Sequence, residues 1–484
     1  MSAQLRTVLI SIALCASVAV GQRGRSNSPG RIVQELTQIP GRPTDRSISL
    51  SVLAPNALEA YVEYGLKPGS YSGKTAAAKI PEKRPVEITL DSLQANTRYY
   101  YRLRYRESGQ GRYAEGAQQT FHTQPPAGST FAFGVQGDSH PERLNRMYHP
   151  DLYQRTMQQV RAHGLDFYFL LGDDFSTDHL HNSNSMTADA VGALYVNQRR
   201  FLSVSGTPLF LVNGNHEHAA RYLLNGSPDS PAVLAGVARN LYFPLPAPDR
   251  FYSGNTSTVE FVGLPRDYYA FTWGDALFVA LDPYWHSPVQ IDSGLAGRQG
   301  GQRGGGRNRD GWATTMGDNQ YQWLKRTLEQ SRAKYKFVFA HHVNGTGRGA
   351  VEVADLYEWG GKGRNGQWEF DSKRPGWAMP VHQLMVKTGV TIFFQGHDHL
   401  FARQEKDGVI YQETPNPADT TYTAFNREAY LSGDILPNSG YLRVTVTPEN
   451  AKVDYIRTWL NKDETAENKN GAVAFSYTVA PRRK

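Results

Sequence analysis

Five short polar motifs, whose residue types suit metal binding, lie between residues 137 and 399. Four of them begin with a glycine directly before the first polar residue. In chain order the motifs are Gly137-Asp138-Ser139-His140, Gly172-Asp173-Asp174, Gly214-Asn215-His216-Glu217, His341-His342 and Gly396-His397-Asp398-His399. Each motif follows an apolar segment that is predicted to be a β-strand. Because ligands bind beyond the carboxyl ends of the strands of α/β sheets, we expect these side chains to converge in one crevice.

The predicted metal ligands offer oxygen and nitrogen donors and no sulfur. They are Asp138, His140, Asp173, Asn215, His341, His397 and His399. Two carboxylates, one amide and four imidazoles suit manganese, iron, zinc, cobalt or nickel. This set is too large for one tetrahedral ion. It suits two divalent or trivalent transition-metal ions, with iron, manganese or zinc favoured, if one carboxylate bridges both, and Asp173 is the candidate bridge.

In this order the motifs resemble the calcineurin-like metallophosphoesterase superfamily. With the amino-terminal module described below, the chain is most similar to the purple acid phosphatase branch, and residues 317–324 are also similar to a helix start of those phosphatases. The resemblance implies one metal held by Asp138, His140, Asp173 and His399, and a second held by Asp173, Asn215, His341 and His397. It also implies that Asn215 and His216 meet the substrate and that His216 protonates the leaving oxygen, a role that suits imidazole.

One position departs from the purple acid phosphatase pattern. Those enzymes place a metal-binding tyrosine three residues after the bridging aspartate, and this chain has Ser176 there. Because His140 is available in the first motif, the first metal site follows the pattern of the wider superfamily instead. Neither a purple ferric-tyrosinate centre nor strict use of iron is therefore expected.

The function implied by the resemblance is hydrolysis of small phosphate monoesters. Two ions about 3.5 to 4 Å apart lower the pKa of a shared water and stabilise charge on the attacking and leaving oxygens. We expect in-line attack of a metal-bound hydroxide, with Asp173 and His216 as the catalytic residues. Two alternatives stay open: a phosphodiesterase or nucleotidase with the same metal core, and a non-catalytic adhesion or binding protein that retains the metal fold.

Several polar neighbours of the motifs are predicted to have supporting roles. Neighbouring residues in an extended segment point to opposite faces, so His342 and His218 are expected to be structural or to orient the ligands. Asp174 and Glu217 are expected to orient neighbouring groups by hydrogen bonds. None of these four residues is assigned to a metal.

Residues 31–124 are predicted to form an all-β sandwich that resembles a fibronectin type III module. Short segments of alternating apolar and polar residues recur between positions 49 and 105, which is typical of such sandwiches. A turn at residues 93–97 precedes a tyrosine-rich strand, the setting of a tyrosine corner. Pro125 and Pro126 end the pattern, because consecutive prolines cannot continue a central strand.

Residues 128–484 are predicted to form a second, layered domain. Segments 130–136, 151–163 and 165–171 read strand, helix and strand, and Gly164 is placed to cap the helix. Similar units recur as far as residue 395, which indicates an α/β body with mixed sheets. The resemblance implies a four-layer α/β/β/α metallophosphoesterase domain. The predicted fold class is therefore multidomain.

The first 21 residues predict export. Arg6 precedes an apolar run at residues 7–20, and small residues offer a cleavage site near Gly21, the pattern of a signal peptide. The run of about 14 residues falls short of the roughly 20 that span a bilayer, so no membrane association is expected after cleavage. A secreted or periplasmic protein follows, with residues 22–30 as a linker. The single cysteine, Cys15, lies in the signal segment, so the mature chain has no disulfide.

Composition adds further limits on function. The formal net charge of +7 favours anionic substrates. Much of the excess lies in the glycine- and arginine-rich residues 294–311, which have no apolar period and are predicted to be a flexible insert. Without a basic helix, no nucleic-acid partner is expected. The sequence does not specify an oligomeric state.

Overall fold

Strands make up most of the regular structure of the chain. The computed structural model describes residues 35–107, 109, 111–291, 310–344 and 346–481, which fall within one compact unit spanning Ile32–Lys484. The predicted signal peptide, the predicted linker and residues 294–309 of the predicted insert lie outside the described residues. Over the described ranges, no helix is both long enough and apolar enough to cross a bilayer.

The first nine strands precede the two prolines. They are β1 (Thr37–Gly41), β2 (Ile48–Leu53), β3 (Leu58–Gly65), β4 (Gly73–Lys74), β5 (Ala78–Ile80), β6 (Val86–Leu90), β7 (Arg98–Glu107), β8 (Ala114–Glu115) and β9 (Gln119–His122).

The rest of the chain alternates strands with helices. Its elements are β10 (Phe131–Gln136), α1 (Pro150–His163), β11 (Phe167–Leu170), α2 (Asp178–Asn182), α3 (Ala188–Ser205), β12 (Leu209–Leu211), α4 (Pro231–Tyr242), β13 (Ser253–Gly254), β14 (Tyr269–Trp273), β15 (Ala276–Ala280), α5 (Asp318–Gln330), β16 (Tyr335–Phe339), α6 (Tyr357–Gly360), α7 (Phe370–Lys373), α8 (Val381–Thr388), β17 (Ile392–Gln395), β18 (Phe401–Lys406), β19 (Val409–Glu413), β20 (Asp434–Leu436), β21 (Gly440–Val446), β22 (Ala451–Arg457) and β23 (Val473–Val479). Short 3-10 helices lie at Arg221–Leu223, Gly311–Ala313, Arg427–Ala429 and Asn461–Asp463.

Two large mixed sheets form the centre of the fold. The first has the strand order β23-β22-β21-β10-β11-β12-β1-β2-β6, and its strands β10, β11, β12 and β1 are parallel. The second has the order β13-β14-β15-β16-β17-β19-β18-β20, with a parallel centre from β15 to β19. The mixed sheets predicted from the sequence are confirmed.

The strands separate the structure into layers because alternate side chains point to opposite faces. In β11, Phe167 and Phe169 face the second sheet, whereas Tyr168 and Leu170 face the helices. Phe169 stacks on Phe339 of the other sheet with ring centroids 4.0 Å apart. Helices α1, α3 and α4 cover the first sheet, and helices α5 and α8 cover the second. The predicted four-layer α/β/β/α fold is confirmed.

Helix α1 shows how local sequence sets these layers. His149 caps its first turn by accepting a hydrogen bond from the backbone N–H of Asp151, and Pro150 occupies the first helical position, where no donor is needed. Gly164 ends the helix in the left-handed conformation at φ 58°, as predicted. Apolar residues at helical spacing, among them Met157, are buried against the first sheet.

The predicted amino-terminal β-sandwich is present. A six-stranded sheet, in which β4, β3, β7 and β8 are neighbours while β5 joins β3 and β9 joins β7, packs against β2 and β6. The hydroxyl of Tyr99 accepts a hydrogen bond from the backbone N–H of Gln94 at 2.9 Å, which gives the turn the character of a tyrosine corner.

The sandwich shares a sheet with the rest of the molecule. Strand β1 pairs in parallel with β12, so β1, β2 and β6 extend the first large sheet. Leu50 of β2 faces the sandwich core, and Ser51 faces the other way, where it contacts Arg199 of α3. The domain boundary proposed at residues 124–128 is therefore spanned by one hydrogen-bonded sheet.

Candidate metal centre

The five motifs lie at the carboxyl ends of neighbouring strands from both large sheets. Asp138 follows β10, Asp173 follows β11 and Asn215 follows β12, all in the first sheet. His341 follows β16 and His397 follows β17 in the second. All seven predicted ligands are buried. The structure thus brings together every residue that the sequence singled out as a metal ligand.

A first cluster joins Asp138, His140 and His399. Nε2 of His399 lies 2.9 Å from Oδ2 of Asp138 and 3.0 Å from Nε2 of His140. Nε2 of His140 lies 3.5 Å from that same Asp138 oxygen. Three donor atoms therefore face one another at a single point.

A second cluster forms around Nε2 of His341. This atom lies 3.0 Å from Oδ1 of Asn215 and 3.1 Å from Nδ1 of His397. It also lies 3.2 Å from Oδ2 of Asp173. The same Asp173 oxygen is 3.6 Å from Nε2 of His140 in the first cluster, so Asp173 lies between the two clusters. Asp138 also comes within reach of the second cluster, since its ligand atoms and those of Asp173, His341 and His397 lie within 4.8 Å of one another.

The backbone at this site adopts conformations that side chains other than glycine rarely occupy. Four of the seven predicted ligands have a positive φ: His140 (48°), Asp173 (59°), His397 (79°) and His399 (57°). Such residues cost of order 1–3 kcal/mol each and occur where surrounding structure enforces them, often at functional sites. Their concentration here indicates that packing holds the ligands in place.

The glycines before the ligands serve two different purposes. Gly172 has φ 102°, a conformation that glycine adopts readily, and it allows the chain to reverse there. Gly214 has no positive φ, but a Cβ atom there would lie 2.1 Å from Oδ1 of Asp173. Gly172 therefore permits a chain reversal, whereas Gly214 leaves space for the carboxylate of Asp173.

Hydrogen bonds turn two of the imidazoles towards the clusters. Nδ1 of His341 donates to the carbonyl oxygen of Leu171 at 2.7 Å, which leaves Nε2 available as a ligand atom. Nδ1 of His140 donates to Glu142 at 2.8 Å, with the same result. Such partners fix the tautomer and the orientation of metal-binding histidines.

Glu217 fastens two of the ligand loops together. Its Oε2 accepts hydrogen bonds from the backbone N–H groups of Asp173 and Gly214, and its Oε1 accepts from Asp174 and Phe175. Its carboxylate lies 2% exposed and bridges the loops after β11 and β12. The orienting role expected for Glu217 agrees with these contacts.

The electrostatics of the clusters favour a bound cation. Burial disfavours charged carboxylates, yet His341 and the neighbouring imidazoles hold the pKa values of Asp138 and Asp173 well below the usual range. Burial lowers the pKa of His399 to about 3, so that this imidazole is neutral and keeps a lone pair. Although burial opposes it, the charges of Asp173 and Asp138 raise the pKa of His341 to about 10. The field at this point stabilises positive charge.

These donors fit transition-metal ions. An imidazole nitrogen binds zinc at about 2.0 to 2.1 Å, and ligands around one ion must then approach to roughly the 3 Å separations that the clusters show. Oxygen and nitrogen donors without thiolate match manganese, iron or zinc. A divalent metal ion therefore fits the buried Asp/His clusters, with Asp138, His140, Asp173, Asn215, His341, His397 and His399 as the residues that would hold it or a pair of such ions.

His216 lies at the edge of the clusters with two charged neighbours. Its Nδ1 donates to Oδ2 of Asp178 at 2.5 Å, and its Nε2 lies 3.8 Å from Oδ2 of Asp173. Although burial opposes it, Asp173 and Asp178 raise the pKa of His216 to about 9. Nη2 of Arg143 lies 3.3 Å from the same Nε2 atom. The side chain of His216 is 21% exposed, so it can contact a ligand that binds at the clusters.

Three further predictions concern residues beside the motifs. Ser176, at the position of the purple acid phosphatase tyrosine, is buried, and its hydroxyl has no hydrogen-bond partner among the described residues. His342 is buried next to His397, and burial lowers its pKa to about 3. His218 pairs with Thr177 through Nδ1 at 2.8 Å. Both histidines stay outside the two clusters.

Sequence reasoning missed Glu142, Arg143 and Asp178. Asp178 begins α2, five positions after Asp173, and Arg143 lies five positions after Asp138. No motif marks them. The sequence offers one signal for them: each is a charged residue four or five positions after a predicted metal ligand that follows a strand.

Comparison with known proteins agrees with this geometry. A sequence profile described as calcineurin-like phosphoesterase matches residues 131–401, more than half of the chain. The solved structure of PhoD is similar over 92% of this chain and 90% of its own, at 15% identity and a TM-score of 0.62. A putative 5'-nucleotidase from Staphylococcus aureus covers 74% of this chain and 55% of its own, at 16% identity and a TM-score of 0.33. No curated protein shows significant sequence similarity.

The profile match covers all seven predicted ligands, and the likeness to PhoD shows a shared fold. The calcineurin-like phosphoesterase fold implies divalent metal ions, and the buried Asp/His clusters within the matched residues fit such a site. The chain therefore belongs to the calcineurin-like phosphoesterase family and is a metal-dependent hydrolase of the phosphoesterase type.

Proposed function

We propose that the protein is an exported, two-metal phosphatase that hydrolyses small phosphate monoesters in the manner of a purple acid phosphatase without the tyrosinate ligand. The observation that carries this proposal is the position of Asp173. One of its carboxylate oxygens lies 3.2 Å from Nε2 of His341 and 3.6 Å from Nε2 of His140. A single oxygen that reaches both clusters is the arrangement that a metal pair requires.

When bound, two such ions would lower the pKa of a water molecule, orient the phosphoryl oxygens and stabilise developing negative charge. The remaining steps fall to the residues of the chain. Asn215 and His216 meet the phosphoryl group, and His216 gives a proton to the leaving oxygen from Nε2. Asp178 holds the other ring nitrogen, which fixes the direction in which Nε2 points.

A phosphodiesterase or nucleotidase is the second candidate, because it would use the same clusters. The likeness to a putative 5'-nucleotidase rests on a TM-score of 0.33 and does not favour it. A non-catalytic adhesion or binding protein is the third candidate. Burial of all seven ligand residues in facing geometry supports catalysis over that alternative.

Turnover by metal-loaded mature protein tests the proposal. We expect p-nitrophenyl phosphate to be hydrolysed faster than its bis ester, and Asp173→Asn to lose most activity because a neutral amide is a weak bridge. Asp229→Asn, which changes an exposed carboxylate twelve positions beyond the nearest motif, is the matched control and should retain full activity. A fully active Asp173→Asn protein that keeps its metal content would refute the bridging role of Asp173. Absence of turnover of both esters by the wild type would refute the proposed phosphatase activity.

Export is proposed from the amino-terminal sequence alone. Expression of the full chain in a host with a secretory pathway should give a mature protein that begins near Gln22, as judged by intact mass. Retention of residues 1–21 on a membrane-free intracellular protein would contradict the proposed signal peptide.

A further inference from the structure

Arg143 is a cationic residue at the solvent-facing edge of the metal centre. The proposed reaction assigns it no role. Its Nη2 atom lies 3.3 Å from Nε2 of His216, the nitrogen that faces Asp173. The side chain is 28% exposed, so the guanidinium borders both the clusters and solvent. The guanidinium therefore lies within reach of a phosphoryl group that binds at the clusters.

A tight turn holds this arginine in position. The backbone N–H of Arg143 donates to the carbonyl oxygen of His140 at 2.9 Å, so the chain folds back directly after a predicted ligand. Nε of Arg143 lies 3.3 Å from Glu142, and Nη1 lies 3.3 Å from the sulfur of Met147. These contacts fix the stem of the guanidinium and leave Nη2 directed at His216.

Arg348, a second arginine near the clusters, differs from Arg143 because it bonds to the loop that carries two predicted ligands. Its Nη1 donates to the carbonyl oxygen of His397 at 3.0 Å and to Oδ1 of Asp398 at 2.9 Å. It thus holds the loop that carries His397 and His399. Arg143 instead reaches the loop after β12 through Nε2 of His216, the ring nitrogen that faces Asp173, so its guanidinium borders the place where a substrate would bind.

The charge and shape of a guanidinium suit a phosphate monoester. Near neutral pH a monoester carries a charge of about −1.5 to −2 on three terminal oxygens, and arginine binds such oxygens with short, charge-assisted hydrogen bonds. A diester has two terminal oxygens and one negative charge, and an ester group replaces the third oxygen. A fixed cation beside His216 therefore favours the monoester.

We propose that Arg143, together with His216, binds a terminal oxygen of the substrate phosphoryl group and so selects phosphate monoesters over diesters. This assignment rests on the proposed phosphoesterase function. It names the substrate class of that site and identifies a specificity residue outside the metal ligands.

The test compares Arg143→Gln and Arg143→Lys with Arg146→Gln, a matched control that removes an exposed arginine three positions further along the same turn. Each metal-loaded protein is assayed with p-nitrophenyl phosphate and with its bis ester, and inhibition by inorganic phosphate is measured. Metal content is determined for every variant. This measurement separates loss of substrate contact from loss of the metal centre.

We expect Arg143→Gln to lower kcat/KM for the monoester about 10²-fold, with little change for the diester and no change in metal content. Its inhibition constant for inorganic phosphate should rise about 10- to 100-fold. Arg143→Lys should recover part of both losses, and Arg146→Gln should behave as the wild type.

Equal losses on both esters, unchanged inhibition by phosphate, or the same losses in Arg146→Gln would overturn the proposal. If the wild type hydrolyses neither ester, the proposed phosphoesterase function fails by itself. Arg143 is then judged by calorimetric binding of inorganic phosphate to the metal-loaded protein. Weaker binding to Arg143→Gln supports the assignment, and equal binding overturns it.

Discussion

Oδ2 of Asp178 accepts a hydrogen bond from Nδ1 of His216 at 2.5 Å. This contact joins the first residue of a short helix to the motif after β12. It leaves Nε2 of His216 facing Asp173 at 3.8 Å. The imidazole is therefore held by a carboxylate on one side and directed at the metal centre on the other, which is the geometry that a proton donor to a leaving group needs.

Asp178→Asn should reduce turnover most for substrates with poor leaving groups. Methyl phosphate needs a proton on its leaving oxygen, so we expect kcat for it to fall about 10²-fold, since positioned proton transfer contributes 10² or more. p-Nitrophenyl phosphate releases a stable anion and should be affected much less. Steady-state kinetics on both esters, with metal content determined in parallel, check this expectation.

Asp189→Asn is the matched control, because it removes an exposed carboxylate from the first turn of α3. It should leave both rates unchanged. Equal losses on the two esters in Asp178→Asn, without loss of metal, would show that Asp178 does not act through a proton on His216.

Glu217→Gln should destabilise the protein. Each Glu217 oxygen accepts two backbone N–H groups, and the amide nitrogen of glutamine cannot accept any. Leaving two buried donors unpaired should cost about 2–4 kcal/mol in the free energy of unfolding, visible in urea denaturation. The same change at the exposed Glu449 should have no effect, and a stable Glu217→Gln protein would contradict the fastening role.

Arg199→Met should weaken the joint between α3 and the amino-terminal strands. Arg199 is fully buried and donates to the carbonyl oxygen of Ser51 at 2.9 Å, to the hydroxyl of Ser51 at 3.0 Å and to the carbonyl oxygen of Tyr242. Methionine removes these charge-assisted hydrogen bonds from buried acceptors, so we expect a loss of about 3 kcal/mol or more. Thermal and urea unfolding measure it.

The neighbouring Arg200 is exposed and provides the control. Arg200→Met should change the unfolding free energy by less than about 1 kcal/mol. Similar stability losses in the two variants would mean that the buried hydrogen bonds of Arg199 do not hold the strands to α3.

Much of the site could be predicted because its signals are local. Each motif begins where a buried strand ends, and parallel strands end at the same edge of a sheet. His140, Asp173 and His397 therefore meet although the chain separates them widely. Helix α1 ends at the predicted residue, since Gly164 caps it in the left-handed conformation.

The remaining features depend on long-range contacts that no short pattern encodes. Asp178 contacts His216 only because α2 folds over the motif after β12. Alternating residues predicted β2 as a strand, but they do not specify that its neighbour β1 pairs with β12 in the large sheet. Ser51 looks like a solvent-facing residue in the sequence, and Arg199 is what buries it.

Metal analysis of the purified mature protein, combined with turnover of p-nitrophenyl phosphate on the same sample, tests the two-metal centre most directly. We expect two transition-metal ions per chain, activity that disappears with chelation and returns with added manganese, zinc or iron, and a lower metal content in Asp173→Asn. Full monoesterase activity in a protein that holds one metal ion or none would contradict it.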